Sequence, residues 1–395
     1  MKFETAHRLH GIGEYYFSQK LQELDALRRE GKPIINLGIG SPDGAPHPHI
    51  VAALNEAAQA TTAHGYQGYR GIPELRNAFA HWYHRFYGVQ LSTDAEVLPL
   101  MGSKEGIMHL CMTYVNAGDA VLVPDPGYPT YRAAATLAGG VPVDYKLSEQ
   151  NNWTIDVEAL ARTVTQIRSS GRKVQLLFVN YPHMPTGAAG NKVFFEQLVA
   201  FAHQYQLLIC HDNPYSFILN NHPESMLAVP GAKDCVVELN SLSKSHNMAG
   251  WRVGVLCGGA TRINEVLRFK SNMDSGMFKP VQLAAVAALS LNKDWYNHIN
   301  AAYKQRRKIV YQLLDKLRCT YQSSQVGLFV WAKVPQHYAS GYALSDELLY
   351  NYNLFLTPGG IFGSAGELYV RVSLCSAVPV LEEAVQRLQL QKQHA

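Results

Sequence analysis

The sequence predicts an α/β protein with a large α/β/α domain on a mostly parallel sheet and a smaller α+β domain. Three observations predict it. Between about residues 95 and 257, short apolar runs alternate with helical patterns. Several of these runs lack polar alternation, as strands covered on both faces by helices do. Later in the chain the pattern changes to a long helix, two strands and a final helix.

The first element is a predicted helix over Phe17–Glu30, where leucines recur at helical spacing and Gly31 follows at the expected end. The strands of the sheet are predicted from apolar runs of four to six residues bounded by turn or helical patterns. These runs are Glu96–Leu100, Ala120–Val123, Val174–Val179, Leu207–Cys210, Cys235–Leu239 and Val253–Cys257.

The last third predicts a helix near Trp295–Leu317, strands near Gly327–Val334 and Glu367–Leu374, and a closing helix. We expect this part to pack with the amino-terminal segment. The predicted domains are residues 45–280 for the large one and residues 1–44 with 281–395 for the small one.

Length and composition suit a soluble globular protein. The chain has 395 residues, 47% of them hydrophobic and 17% charged, and a formal net charge of +4. No long basic tract indicates nucleic-acid binding, and the apolar stretch Leu283–Leu291 is shorter than the about 20 residues that span a bilayer. The six cysteines form no CxxC pair, which indicates a reducing compartment and predicts a cytoplasmic protein.

Polar residues follow five of the predicted strands, and in an open α/β sheet ligands bind at the carboxyl ends of the strands. Together these residues offer a phosphate loop, an aromatic ring, a turn, a carboxylate with a phenol, and a lysine, which is what a pyridoxal phosphate site needs. The five groups are Gly102-Ser103-Lys104, Pro126-Gly127-Tyr128-Pro129, Asn180 with Pro185-Thr186-Gly187, Asp212-Asn213-Pro214-Tyr215 and Ser241-Leu242-Ser243-Lys244.

The phosphate is expected at the start of the helix that Ser103 caps, because free N–H groups and the positive helix end suit an anion. Gly102 and Gly106 keep side chains away from that end. Arg252 and Ser241 would add a guanidinium fork and a hydroxyl.

The cofactor ring needs a protonated pyridine nitrogen, and a buried carboxylate such as Asp212 favours that cation. Tyr215 is placed to bond the phenolic oxygen of the ring, and Tyr128 to stack on its face. Lys244 is the expected nucleophile, because desolvation and the nearby Arg252 favour its neutral amine. Each residue alone has an ordinary structural explanation, so the prediction depends on their combination.

The segment from Ser241 to Lys244, continued by Gly250-Trp251-Arg252-Val253-Gly254, is similar to the lysine signature of class I/II aminotransferases of fold type I. The similarity runs through nearly the whole chain. It implies the fold of a fold type I PLP-transferase, with Lys244 as the Schiff-base lysine and Lys244, Asp212 and Tyr215 as catalytic residues. The cofactor contacts that it implies are Ser103, Lys104, Tyr128, Asn180, Met184, Asp212, Tyr215, Ser241, Ser243, Lys244 and Arg252.

Three further residues are assigned by the same resemblance. Tyr66 matches the tyrosine that reaches the phosphate of the neighbouring subunit, which implies a homodimer with shared sites. Arg371 matches the arginine that grips the α-carboxylate of the substrate, where a planar fork suits a carboxylate better than lysine. Gly38 is expected to line the substrate side.

Met184 departs from the family pattern. The family usually reads Asn-x-Pro-x-Asn-Pro-Thr-Gly, whereas here Met184 stands where the second Asn would donate to the phenolic oxygen. A thioether cannot donate. Tyr215 is then the main partner of that oxygen, with His183 or water assisting. We therefore expect the pKa of the Lys244 Schiff base to be higher than in relatives that carry Asn.

The predicted function is amino transfer between an L-amino acid and a 2-oxo acid. The loop Gly102–Gly106 and the stretch Ser271–Gly276 most resemble the branch with LL-diaminopimelate, alanine and aspartate aminotransferases, although no second arginine for a side-chain carboxylate is evident. One alternative is a pyridoxal-phosphate lyase, such as a carbon–sulfur lyase, which needs the same residues. The other is a non-catalytic ligand-binding relative. No metal site is predicted, since His47 and His49 lack further ligands.

Overall fold

A seven-stranded sheet forms the centre of the computed structural model, which describes residues 3–10, 12–13 and 16–390. The strand order is β2-β8-β7-β6-β5-β3-β4, and only β8 runs antiparallel to its neighbours within this sheet. The strands are β2 (Val97–Leu100), β3 (Ala120–Asp125), β4 (Val141–Lys146), β5 (Val174–Val179), β6 (Leu208–Asp212), β7 (Val236–Ser241) and β8 (Gly254–Gly258).

Helices cover both faces of this sheet, and alternate residues of each strand enter different apolar cores. Leu176 and Phe178 face the core that includes α4, α5 and α10, whereas Leu177 and Val179 face the core that includes α3, α6 and α7. The helices of this part are α2 (Pro48–Gln59), α3 (Pro73–Tyr87), α4 (Ser103–Tyr114), α5 (Pro129–Leu137), α6 (Val157–Ser169), α7 (Lys192–Gln204), α8 (Ala232–Cys235), α9 (Leu242–Ser245), α10 (Ala260–Lys270) and α11 (Lys279–Ser290).

A second, smaller sheet has the order β12-β13-β10-β9 and is antiparallel, while β1 pairs in parallel with β11. Its short strands are flanked by long helices, which is an α+β arrangement. The elements are α1 (Tyr16–Arg29), β1 (Ile35–Asn36), α12 (Lys293–Lys316), β9 (Thr320–Tyr321), β10 (Phe329–Lys333), α13 (Gly341–Tyr352), β11 (Leu354–Phe355), β12 (Thr357–Pro358), β13 (Tyr369–Ser373) and α14 (Val378–Leu390).

The remaining helical turns are short 3-10 helices in the connections. They are His7–Leu9, Thr61–Ala63, Glu149–Asn151, Met226–Ala228, Ala249–Trp251, Gly359–Phe362 and Ser364–Gly366.

The α/β architecture with a mostly parallel sheet is confirmed, and all six predicted strands are present within one or two residues of their predicted bounds. The strand β4 was not predicted. It lies at the edge of the sheet and is mostly exposed or half-buried, so it lacks the continuous apolar run of its neighbours. The division at residues 44 and 280 stays a proposal; α11 packs against α2 and α3 of the large sheet's helical layer.

Within the described residues, none of the helices is both long and apolar enough to cross a membrane. The six cysteines are all buried and free.

Candidate active site

A cavity of about 370 Å³ lies at the carboxyl ends of the parallel strands, between the large sheet and the smaller one. Its wall contains residues from both parts of the chain. Eleven predicted cofactor contacts and the two predicted substrate contacts line it: Ser103, Lys104, Tyr128, Asn180, Met184, Asp212, Tyr215, Ser241, Ser243, Lys244, Arg252, Gly38 and Arg371. The structure therefore brings all of them together, and Tyr66 is the one predicted site residue outside this wall.

Lys244 lies in the short helix α9 directly after β7, and its Nζ donates to the carbonyl oxygen of Gly40 at 2.5 Å. Burial lowers the pKa of Lys244; the nearby thiol of Cys375 opposes this effect, while Arg371 and Arg252 add to it. A lowered pKa increases the fraction of neutral amine at neutral pH, as a nucleophile or general base requires.

Asp212 ends β6 and is buried. Its Oδ2 accepts a hydrogen bond of 2.7 Å from the hydroxyl of Tyr131, whereas Oδ1 has no partner in the structure. Burial raises the pKa of Asp212 to about 6, while the Tyr131 hydrogen bond and the charge of His211 act in the opposite direction. A buried carboxylate oxygen without a partner is costly, so its presence indicates a missing donor.

The phosphate corner is built by Gly102, Ser103, Ser241, Ser243 and Arg252. The prediction that Ser103 caps α4 was wrong: Gly102 is the N-cap, Ser103 is the first helical residue, and its side chain makes no capping bond. Ser241 is itself a cap, accepting from the Ser243 N–H at 3.2 Å. Arg252 donates to the carbonyl of the preceding turn at 2.9 Å and points its guanidinium at the start of α4.

We expect Gly102→Ala to weaken pyridoxal phosphate binding about tenfold or more. A Cβ at this position would lie 2.1 Å from Arg252 Nη2, and φ is +87°. The clash would displace Arg252 from the start of α4, and the loss of one hydrogen bond to a charged group costs about 1.5–3 kcal/mol, where 1.4 kcal/mol is a factor of ten. Titrating the apoprotein with the cofactor measures the effect. Gly88→Ala is the control, because Gly88 has φ +69° but open space, so strain without the clash should leave affinity unchanged.

Arg371 extends from β13 and is buried between two aromatic rings. Its guanidinium carbon lies 3.9 Å from the ring centre of Phe329 and 4.7 Å from that of Phe362. Nη2 donates to the Gly38 carbonyl at 2.8 Å, and Nη1 contacts the Met184 sulfur at 3.2 Å. Stacking fixes the plane of the fork, which suits bidentate binding of a carboxylate.

The carbonyl oxygens of Gly38 and Gly40 accept hydrogen bonds from the Arg371 guanidinium and the Lys244 amine. Both are packed too tightly for a side chain: a Cβ on Gly38 would lie 2.7 Å from atoms of Phe355 and Thr357, and one on Gly40 would lie 2.3 Å from Phe329. The predicted role of Gly38 on the substrate side thus agrees with its position in the cavity wall.

Asn180 and Met184 are joined within one turn. The Asn180 amide donates to the Asp212 carbonyl at 2.7 Å, and its Oδ1 accepts from the Met184 N–H at 2.8 Å. His183 does not line the cavity: it is buried, and its Nδ1 lies 2.8 Å from the Thr186 hydroxyl. Burial lowers the pKa of His183 to about 3, so it is neutral. The suggestion that His183 assists Tyr215 was therefore wrong.

We expect Met184→Asn to lower the pKa of the linkage between Lys244 and the cofactor by roughly one unit. The amide supplies the donor that a thioether lacks, and it also gives Arg371 a stronger acceptor than sulfur. Following the absorbance of the bound cofactor against pH measures this pKa. Met184→Leu, which offers neither donor nor acceptor, is the matched control, and a pKa that does not fall in Met184→Asn would refute the idea.

Tyr128 and Tyr215 both line the cavity, and burial raises the pKa of both phenols, so both are neutral donors at neutral pH. The Tyr128 ring meets that of Tyr131 edge-on, with ring centres 5.6 Å apart. Tyr66 is 96% exposed on a connecting loop.

Several wall residues were not predicted: Leu21, Ile39, Gly40, Ser41, Tyr131, Phe329 and Phe362. Of these, Tyr131 was within reach of sequence reasoning, because it follows Tyr128 by one helical turn in the same motif. The two phenylalanines and the carbonyl of Gly40 carry no such local signal.

Outside this cavity, Glu105, His109 and Asp274 bring ligand atoms within 4.8 Å of one another. Lys270 Nζ lies 2.7 and 2.6 Å from the two oxygens of Asp274, so a protein cation already occupies that carboxylate. That the protein has no metal site stays a prediction.

The cavity fits pyridoxal phosphate by its chemistry. The partnerless Asp212 Oδ1 needs a buried donor, such as a protonated pyridine nitrogen. The glycine cradle at Gly102, next to Arg252 and the start of α4, suits a phosphate. A partly desolvated amine on Lys244 suits covalent attachment of an aldehyde.

Comparison with known proteins gives consistent results. The sequence model of the family described as aminotransferase class I and II matches residues 32–388. LL-diaminopimelate aminotransferases of Dehalococcoides mccartyi and Desulforudis audaxviator are 38% and 39% identical over 387 and 391 residues, covering 98% of both chains in each case. The substrate-bound structure of BacF from Bacillus subtilis has a TM-score of 0.92 and 35% identity, covering 99% of this chain and 98% of its own.

Proposed function

The chain belongs to the aminotransferase class I and II family, and from this premise we propose that Lys244, Asp212 and Arg371 perform its pyridoxal-phosphate-dependent amino transfer. The transfer runs between an L-amino acid and a 2-oxo acid. The single observation that carries these residue roles is the convergence of a buried amine, a partnerless buried carboxylate oxygen and a stacked guanidinium on one cavity.

Arg371 binds the α-carboxylate of the substrate. Its fork is held flat between Phe329 and Phe362, so the bound carboxylate takes a defined orientation, and this sets the direction of the Cα–H bond. An entering carboxylate is a stronger acceptor for Nη1 than the thioether of Met184, and it displaces a weak contact.

Lys244 moves the proton. Its neutral Nζ would act as the general base that removes the Cα proton of the substrate, and it would hold that proton for return at the end of the half-reaction. Burial, together with the positive charges of Arg371 and Arg252, favours the neutral amine that this role requires. The Gly40 carbonyl, 2.5 Å away, orients Nζ within the cavity.

Pyridoxal phosphate, when bound, supplies a cationic ring that delocalises the electron pair left on Cα. Asp212 would hold the ring nitrogen protonated, with Tyr131 fixing the orientation of the carboxylate. Tyr215 would donate to the phenolic oxygen, and Tyr128 would supply an aromatic face for the ring. The phosphate would be held by Ser103, Lys104, Ser241, Ser243 and Arg252.

A homodimer completes the site in this proposal. Tyr66 is 96% exposed on a loop, as expected for a side chain that enters a neighbouring subunit. The aromatic ring of His64, two residues earlier in the chain, contacts Phe278, which is 45% exposed, so Tyr66 is not the sole exposed aromatic residue of this region. A cytoplasmic location agrees with six free cysteines. Light scattering tests the dimer, and a monomer with full activity would refute it.

LL-diaminopimelate is the first amino donor to test, because relatives at 38–39% identity bear its name. Leu21, Ile39 and Phe329 make part of the wall apolar, so aromatic and aliphatic donors belong in the same panel, with aspartate and alanine. We expect transfer to 2-oxoglutarate or pyruvate, with the highest kcat/KM for LL-diaminopimelate.

The same assay separates amino transfer from the lyase reaction. A transferase forms one new amino acid for each keto acid consumed and releases no ammonia, whereas a carbon–sulfur lyase releases ammonia and pyruvate from cysteine-like substrates without an acceptor. Ammonia release without an acceptor would overturn the proposal, and a bound cofactor that never turns over would support a non-catalytic role.

A further inference from the structure

A buried ionic pair lies beside the cofactor cavity, on the opposite face of β6 from Asp212. His211 Nδ1 is 2.8 Å from Glu238 Oε2, and His211 Nε2 is 2.9 Å from the Tyr181 carbonyl oxygen. Both side chains are 0% exposed. Neither residue lines the cavity, and the mechanism above does not use either of them.

Glu238 is surrounded by donors. Its Oε2 also accepts from the Ser225 hydroxyl at 2.7 Å and the Met226 N–H at 3.1 Å. Its Oε1 accepts from the Tyr83 hydroxyl at 3.0 Å and the Asn213 amide at 3.4 Å. A carboxyl group with this many donors is in its ionised form, because hydrogen bonds to the charged form favour it.

The charge of His211 follows from its two partners. A backbone carbonyl only accepts, so Nε2 must carry a proton. Nδ1 faces an ionised carboxylate, so it carries a proton as well. His211 is therefore an imidazolium whose two donors are both used, and the pair with Glu238 is neutral as a whole.

The other groups around the pair carry no charge at neutral pH. Phe195 of α7 packs edge-on against the His211 ring, with ring centres 5.0 Å apart. Burial raises the pKa of each neighbouring phenol and thiol well above its ordinary value: Tyr83, Tyr87, Cys210 and Cys257. Burial likewise raises the pKa of Tyr181. The remaining charged neighbour is Asp212, next in sequence.

The pair also joins three strand ends that carry the site. Tyr181 follows Asn180 after β5, His211 precedes Asp212 in β6, and Glu238 lies in β7, upstream of Lys244. A break in the pair would remove the side-chain link between these segments, while the backbone ladders of the sheet remain.

We propose that His211 is a positioning residue whose positive charge favours the ionised form of the Asp212 carboxylate, while its two hydrogen bonds tie the end of β6 to Glu238 of β7 and to the turn after β5. Its effect on the reaction rests on the proposed role of Asp212, whereas its own charge state does not. Burial raises the pKa of Asp212 to about 6, so a nearby cation matters for the ionisation of this group near neutral pH.

The charge state is tested directly in the wild-type holoenzyme labelled with ¹⁵N-histidine. Long-range proton–nitrogen correlation spectra report how many ring nitrogens bear protons, and the signal lost in His211→Asn assigns the residue among the 16 histidines. We expect both nitrogens of His211 to carry protons at neutral pH, as its two acceptor partners require. A ring with one unprotonated nitrogen at neutral pH would overturn the proposal, whatever the variants do.

The effect on Asp212 is tested with Glu238→Gln, which keeps the shape of the pair but lets the amide donate to a neutral imidazole. Loss of the His211 charge raises the pKa of Asp212, so the pH below which this carboxyl is protonated moves up. We expect the acid limb of the kcat profile to shift upward by about one unit, and the cofactor dissociation constant at pH 6.5 to rise about threefold. His211→Asn should give a shift of the same sign.

His203→Asn, which replaces an exposed histidine, is the control and should leave both profiles unchanged. A merely structural pair would lower the melting temperature of the variants without moving either pH profile, and that result would overturn the proposal. Amino transfer would persist in that case, so failure of this inference is distinguishable from failure of the proposed function.

Discussion

Replacing Lys244 by alanine is expected to abolish amino transfer, lowering kcat by about 10⁴-fold or more. The variant also loses the visible absorbance of a covalently held cofactor. Its methyl group can neither attach the cofactor nor carry a proton, whereas the buried wild-type amine has a lowered pKa and points into the cavity. Amino transfer and the absorbance spectrum of the purified protein measure the two effects.

Lys104 makes this test selective, because it is the other lysine among the residues that line the cavity. Lys104→Ala should retain the absorbance of the covalent linkage even if its cofactor affinity changes. Lys192→Ala is the surface control, because the Lys192 side chain is 71% exposed, and this variant should retain full activity. Normal amino transfer by Lys244→Ala would contradict the proposed mechanism.

Replacing Asp212 by asparagine should lower kcat by about 10³-fold. The amide keeps the size of the carboxylate and can still accept from Tyr131, but it has no charge with which to hold the ring nitrogen protonated. Both kcat and the cofactor dissociation constant measure the loss. A variant that retained more than a tenth of wild-type kcat would contradict the role of Asp212.

The pH dependence of cofactor binding gives a second test of Asp212. Its pKa is raised to about 6 in the protein without cofactor, so the carboxyl gains a proton as the pH falls through that value. Wild-type binding should therefore weaken below about pH 6, and Asp212→Asn should lack this dependence. Tyr131→Phe is the matched control: it removes one hydrogen bond to the ionised form, so the acid limb should move to higher pH.

The large sheet could be predicted well because its strands are buried on both faces. Val174–Val179 was predicted at its observed bounds, since a six-residue apolar run between a polar helix end and a turn leaves few alternatives. The edge strand Val141–Lys146 was missed because one side of it faces solvent and its sequence includes Pro142, Asp144 and Lys146. Burial, not strand propensity, made the difference.

The site was predictable where a residue ends a strand, as Asp212 does, or follows one within a few residues, as Lys244 does. The geometry of such residues is local, because the strand end sets their position in the sheet. The cap assigned to Ser103 failed on a finer local point: the backbone at Gly102 has φ +87°, and that residue became the cap. The prediction that His183 assists Tyr215 failed because the His183 side chain bonds Thr186 within the same turn.

The sequence by itself determined which strands form the parallel sheet and which polar groups stand at their ends, because apolar runs and the residues after them are local. Only the tertiary structure decided which groups position the Lys244 amine and the Arg371 guanidinium. The Gly40 carbonyl accepts from Lys244, and the Gly38 carbonyl accepts from Arg371, although each pair is more than 200 residues apart in sequence. The rings of Phe329 and Phe362 pack against the Arg371 guanidinium. Such contacts arise from packing between segments distant in sequence, and no local pattern encodes them.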